Sequence, residues 1–226
     1  RALIVRYTSD TIGKVFFPVF SQKQGNIDWI RAAFEKSFKY IFLLSVIICG
    51  ILFSFSNDIF LLLFSEKWLP SVVHFKILIS AAVFLPLLAL LSNIINGLGY
   101  SKEFLQFNLI EKGIYLLAII ISVMSSNFMI FIASEILIKG IAFVLYFRKA
   151  QDLVMFEMKT LIKISVSTLV LIISCISFID FIESFLVFNM LINLMIKSIL
   201  FLSFLILGLQ LPIFKSNFEI NDLMKK

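Results

Sequence analysis

A chain of 226 residues that is 61% hydrophobic and only 15% charged, with a mean hydropathy of +1.05, does not have the composition of a soluble globular domain. One histidine and two cysteines leave no Cys/His spacing for a metal centre. The formal charge of +6 does not point to nucleic acid, because the basic residues are scattered between apolar runs instead of forming one patch.

In chain order, residues 1–37 lead into six apolar runs, at 38–55, 72–97, 104–124, 128–147, 161–179 and 185–209, and a polar tail closes at Lys226. A helix rises about 1.5 Å per residue, so each run of about 18 residues or more approaches or exceeds the roughly 30 Å of bilayer hydrocarbon. Pro86 lies inside the second run, where a soluble helix would break but a membrane helix is kinked and repaired by its neighbours. The links at 125–127 and 180–184 are short enough for tight hairpins. The fold class is therefore all-α, a polytopic transmembrane bundle of six spans plus the end of a preceding one. The first residue is Arg1, which leads us to expect the C-terminal part of something longer.

The basic residues orient the bundle. Residues 1–39 carry seven, Lys102 adds one, 148–163 four and the tail three, whereas the opposite side has Lys67 alone. The positive-inside rule then places both ends in the cytoplasm. Two flanking pieces have amphipathic spacing. In residues 28–39, Ile30, Phe34 and Phe38 recur every four positions, with Asp28 as the expected helix cap and Trp29 at headgroup level. That piece is read either as an interfacial helix or as the overhang of the next span. Asp58 is the expected cap of the corresponding outer piece, which ends at Trp68. Cys49 and Cys175 fall inside spans and are expected to be isolated apolar thiols.

Ionisable residues inside a membrane are the candidates for function, since each is costly unless paired or wet. Arg6, Asp10 and Lys14 stand four apart and would form a plus-minus-plus stripe on a helix ended by Pro18. That stripe is read as the wall of a polar cavity meeting an anionic substrate, or as a solvated face with ordinary i,i+4 pairs. Glu135 and Lys139 share the fourth span at i,i+4, where they are expected to neutralise each other, as a structural pair or as a protonatable carboxylate beside a cation. Asn189, Asn193 and Lys197 repeat the spacing in the last span; Lys197 has no acid on its own helix and needs a partner elsewhere, Glu135 or water. His74 and Lys76 lie near the outer rim, and Asn93 and Asn96 are placed to satisfy backbone at the inner end of the Pro86 helix. No catalytic group, metal site, cofactor or nucleotide loop is expected, so the chain is not read as an enzyme.

Three ordered stretches carry a resemblance. They are Phe17-Pro18-Val19-Phe20-Ser21 before a polar turn, Leu63-Phe64-Ser65-Glu66-Lys67-Trp68-Leu69-Pro70, and Asn96-Gly97-Leu98-Gly99-Tyr100-Ser101-Lys102 after the Pro86 helix. In this order the chain resembles the polysaccharide or O-antigen (Wzx-like) flippases of the multidrug/oligosaccharidyl-lipid/polysaccharide exporter superfamily, which usually have glycine where Ser65 stands. The resemblance implies two six-helix lobes around a central cavity, of which this chain would supply part of the second. Residues 1–37 would be the end of a helix and a linker, 38–148 four helices of the lobe, and 149–226 two additional helices and the tail. It further implies a bacterial inner-membrane protein that moves a polyprenyl-diphosphate-linked oligosaccharide between leaflets by alternating access, with a glycan polymerase and other export proteins as partners. Arg6, Asp10, Lys14, Glu135, Lys139 and Lys197 are its candidate cavity residues. A cation-coupled multidrug exporter and a membrane glycan polymerase or ligase are the competing readings. The first should favour acids over lysines in its cavity, and the second should carry a large outer loop.

Overall fold

The computed structural model describes residues 16–183 and 190–210, and among these every regular element is helical. After a helical stretch at 16–22 come α1 (Ile27–Ser54), α2 (Ser56–Leu63), a single 3₁₀ turn (Glu66–Trp68), α3 (Ser71–Ala82), α4 (Phe84–Gly97), α5 (Ser101–Met124), α6 (Phe128–Val154), α7 (Met158–Glu183) and α8 (Met190–Leu209). Among the described residues, six helical segments are long and apolar enough to cross a membrane, α3 and α4 counting as one. They correspond one for one to the six predicted runs. The chain is a polytopic all-α membrane protein.

The helices run past the predicted ends where polar residues continue the helical pattern. α6 extends through Arg148 and Lys149 to Val154, so the link to α7 is residues 155–157 alone. α3 and α4 are interrupted at Val83. Pro86 explains the position: it has no N–H to offer Ala82, and its ring crowds that same carbonyl, four residues back.

Contacts divide the described residues into two compact units. One holds the chain up to Phe42 together with Val73–Met158; the other holds Leu43–Val72 and the chain from Lys159 onward. In the first unit α6 packs on both α4 and α5. Ile30, Phe34 and Phe38, the four-residue stripe of α1, are fully or almost fully buried. Phe34 meets Phe156 at 4.7 Å between ring centroids, and Phe38 meets Phe147 at 5.8 Å. The stripe therefore faces protein, and residues 28–39 are the continuous beginning of the first span instead of a separate interfacial helix. Asp28 does not cap it. Asn26 does, its Oδ1 accepting from the Trp29 amide at 3.0 Å, while Asp28 pairs with Arg31 at 3.2 Å.

Two side chains of α1, one turn apart, hold the α6–α7 junction. Arg31 Nε donates to the Val154 carbonyl at 2.9 Å, and Glu35 Oε1 accepts from the Glu157 amide at 3.0 Å. A helix end leaves carbonyls without partners and a helix start leaves amides, so the cation sits at the first and the anion at the second. Elsewhere in this unit Gln24 Nε2 donates to the Gly97 carbonyl. A β-carbon at Gly97 would lie 3.0 Å from Phe20 Cβ and 3.5 Å from the Ser21 amide nitrogen. Two of the stretches that carry the resemblance therefore touch, and Gly97 permits the approach.

In the second unit α1 and α8 each present a glycine to α7. A β-carbon on Gly50 would fall 2.7 Å from Ile172 Cγ2, and Phe55 meets Phe201 at 6.2 Å. Small residues that let helix surfaces close are the usual means of packing in lipid, where burial of apolar surface gains little. Cys49 and Cys175 are free thiols.

Ser65 has φ 149° and ψ 170°, a region occupied almost solely by glycine. This is the position where the flippases that the chain resembles usually have glycine. Ser65→Gly is expected to stabilise the protein by about 1 kcal/mol, relieved strain outweighing the added freedom of the unfolded chain. Thermal unfolding in detergent checks it; an unchanged or lower midpoint would show that the serine is unstrained.

Candidate functional site

α5 and α6 form an antiparallel hairpin whose turn the sequence builds locally. Ser126 adopts φ 50°, Asn127 Oδ1 caps α6 through the Met129 amide at 3.0 Å, and Ser122 Oγ donates to the Asn127 carbonyl at 2.9 Å. So tight a turn fixes which residues face each other: positions equally far from Ser125 meet. Glu111 and Lys139 are such a pair, and Lys139 Nζ lies 2.6 Å from Glu111 Oε1. Tyr115 and Glu135 are another, the phenol donating to Glu135 Oε2 at 2.5 Å. Nearer the helix ends Lys149 reaches Glu103 at 3.1 Å and lies over the Tyr100 ring at 4.5 Å.

The central cluster is deep in the bilayer. Glu111 lies ten residues after Ser101, and Lys139 lies eleven after Phe128, each about 15 Å from its helix start. Glu135 is 1% exposed, and the side chains of Lys139 and Glu111 are 13% and 10% exposed. The Tyr115 ring has the Lys139 ammonium at 5.4 Å and the Lys112 ammonium at 5.5 Å. Two acids, two cations and one aromatic ring therefore lie close together, and of the two cations only Lys139 is, among the described residues, in salt-bridge range of a carboxylate. Attraction at this depth is little screened, and each carboxylate has a donor, which is what a charge needs to persist out of water.

This corrects the expected pairing. Lys139 makes its salt bridge across the hairpin to Glu111, and Glu135 takes the Tyr115 hydroxyl. One turn of the same helix places Glu135 and Lys139 side by side, but each has a better-directed partner on α5. Glu111 and Tyr115 escaped the sequence reading, although the hairpin register would have found both.

The second unit has its own buried pair. Lys197 Nζ lies 3.1 Å from Asp58 Oδ2, with side chains 4% and 11% exposed. Within this unit the carboxylate partner of Lys197 is Asp58, and Asp58 is not a helix cap: the start of α2 has no side-chain cap hydrogen bond, and the carboxylate turns to α8 instead. Asn193, one turn before Lys197, is half-buried; Asn189 lies outside the residues whose side chains are described. Asn93 Nδ2 donates to the Ala89 carbonyl at 2.7 Å within α4. Arg6, Asp10 and Lys14 lie outside the described residues.

Of the cations expected to meet a substrate, Lys139 and Lys197 are thus each engaged by a carboxylate. Glu111 and Asp58 are the carboxylates that engage them.

Residues 2–73 match a family model described as "Polysaccharide biosynthesis protein". The match takes in the Arg6–Asp10–Lys14 stripe, α1, α2 with Asp58, and the Ser65 turn, and it ends at the start of α3. It supports a membrane protein of polysaccharide biosynthesis. Neither the curated proteins nor the solved structures contain a match.

Proposed function

We propose that this chain is part of a flippase that carries a polyprenyl-diphosphate-linked oligosaccharide from the cytoplasmic to the outer leaflet of a bacterial inner membrane by alternating access. The match of residues 2–73 to polysaccharide biosynthesis proteins is the observation that carries the reading, because it covers Arg6, Asp10 and Lys14. Six spans and the positive-inside distribution agree with it, and on that distribution the ends of the chain are cytoplasmic. In this reading Arg6 and Lys14 meet the diphosphate and Asp10 spaces them. The pairs of α5–α6 and of Asp58–Lys197 brace the helices without touching the passenger. The polyprenyl tail stays in lipid while the sugar follows the wet path, as in transporters whose sites lie near the midplane between rocking bundles.

The test is complementation of a strain unable to export its surface glycan by the full-length gene. The Arg6→Ala/Lys14→Ala double variant is expected to lower export at least about tenfold at equal membrane abundance, the scale of one or two lost charge-assisted hydrogen bonds. Unchanged export would remove both residues from the path. The buried acids Asp58, Glu111 and Glu135 keep a cation-coupled drug exporter as the second reading; a resistance profile that changes on expression, with no change in surface glycan, would favour it.

A further inference from the structure

α5 is the least covered of the six spans: 11% of its apolar window is buried, against 22% or more for each of the others. One of its exposed faces carries Leu105, Leu109, Lys112, Leu116, Ile119 and Val123, all of them exposed. Their spacing of four, three, four, three and four is that of a helix-pairing seam, in which every side chain would sit as a knob in a facing helix. Lys112 stands at the centre of the seam and at the midpoint of α5. Among the described residues its ammonium meets the Tyr115 ring at 5.5 Å and no carboxylate. A lysine exposed halfway across the membrane is costly against hydrocarbon, and it is too far from either end to reach headgroups easily.

We propose that this face of α5 docks a transmembrane helix, other than those described here, that carries an aspartate or glutamate at the level of Lys112. Charge complementarity selects that occupant. A second copy of α5 is excluded by the same residue: Lys112 is at the midpoint, so parallel and antiparallel pairing both bring two ammonium groups together. Gly113, beside Lys112 and with open space above it, lets the incoming backbone close on the seam. A lone charged residue at a seam position fixes register and partner, as one buried polar residue does in coiled coils. The inference stands apart from the transport reading, since neither the seam nor its test involves Arg6, Asp10 or Lys14.

Nitroxide scanning of the full-length protein in its native membrane decides between helix, lipid and water. With Cys49 and Cys175 replaced by serine, labels are placed singly at Leu109 and Leu116 on the seam, and at Leu117 and Ile121 off it. Collision with oxygen reports hydrocarbon; collision with a water-soluble nickel chelate reports a wet cavity. A docked helix is expected to shield Leu109 and Leu116 from both, with oxygen accessibility at least twofold lower than at Leu117 and Ile121. High oxygen collision on the seam would mean lipid, high nickel collision a cavity, and either overturns the proposal. Lys112→Glu is then expected to raise oxygen collision at Leu109 and Leu116, because acid would face acid, whereas Lys112→Arg leaves both shielded. Seam shielding that persists in a folded Lys112→Glu protein would overturn the acidic partner. Should Lys112→Glu fail to fold, the four labels on the unaltered Lys112 background and the Lys112→Arg comparison still decide the question.

Discussion

Lys139→Leu is expected to destabilise the protein by about 3–5 kcal/mol, the usual consequence of removing one partner from a buried ion pair. The substitution fills the space of the lysine stem but leaves Glu111 facing apolar surface in mid-bilayer, where no water replaces the ammonium at 2.6 Å. Glu111→Leu alone is expected to cost a similar amount, by stranding Lys139. The double variant Glu111→Leu/Lys139→Leu should recover most of the loss, because a buried pair replaced by well-packed apolar residues is often neutral or better. Thermal or denaturant unfolding of the four proteins in detergent gives the coupling energy directly. Two single variants each costing under about 1 kcal/mol would mean that water reaches the pair. Export measured on the stable double variant separates bracing from transport: retained export assigns the pair to the scaffold.

Asp58→Asn is the second large effect. It leaves Lys197, whose side chain is 4% exposed, without its carboxylate, and a loss of about 3 kcal/mol or more is expected. Lys197→Met should cost somewhat less than Asp58→Asn, because Asp58 sits in the first turn of α2, where backbone amides still favour a negative group. The double variant Asp58→Asn/Lys197→Met is expected to be closer to the parent than either single one. A loss in the double variant equal to the sum of the two single losses would show that the two side chains act separately.

The six spans were legible because hydropathy over a membrane's thickness is a local property: residues 72–97 or 128–147 declare themselves without reference to the rest of the chain. The helix ends were less so, since Arg148 to Val154 are polar enough to read as a loop yet continue α6, which buries Ala150 and Val154 on the same helix as Tyr146 and Phe147. Partners of charges were the hardest to see. The i,i+4 rule names the neighbour along a helix, so it proposed Glu135 for Lys139. The decisive geometry belongs to the hairpin, where Ser126 and Asn127 set the register and Glu111 becomes the facing residue. For Lys197 no such shortcut exists, because Asp58 lies 139 residues away and only tertiary packing joins them.

The grip of α1 on the α6–α7 junction has a mechanical consequence. A three-residue connection between two long helices would ordinarily serve as a swivel. Here the outgoing carbonyl of Val154 and the incoming amide of Glu157 are both fastened to one rigid rod, through Arg31 and Glu35. The three-residue link is held at both ends, and the Glu157 amide should resist deuterium uptake as though it lay within a helix. Any flexing of this unit is left to the joint at Val83, where Pro86 has already cut the backbone ladder.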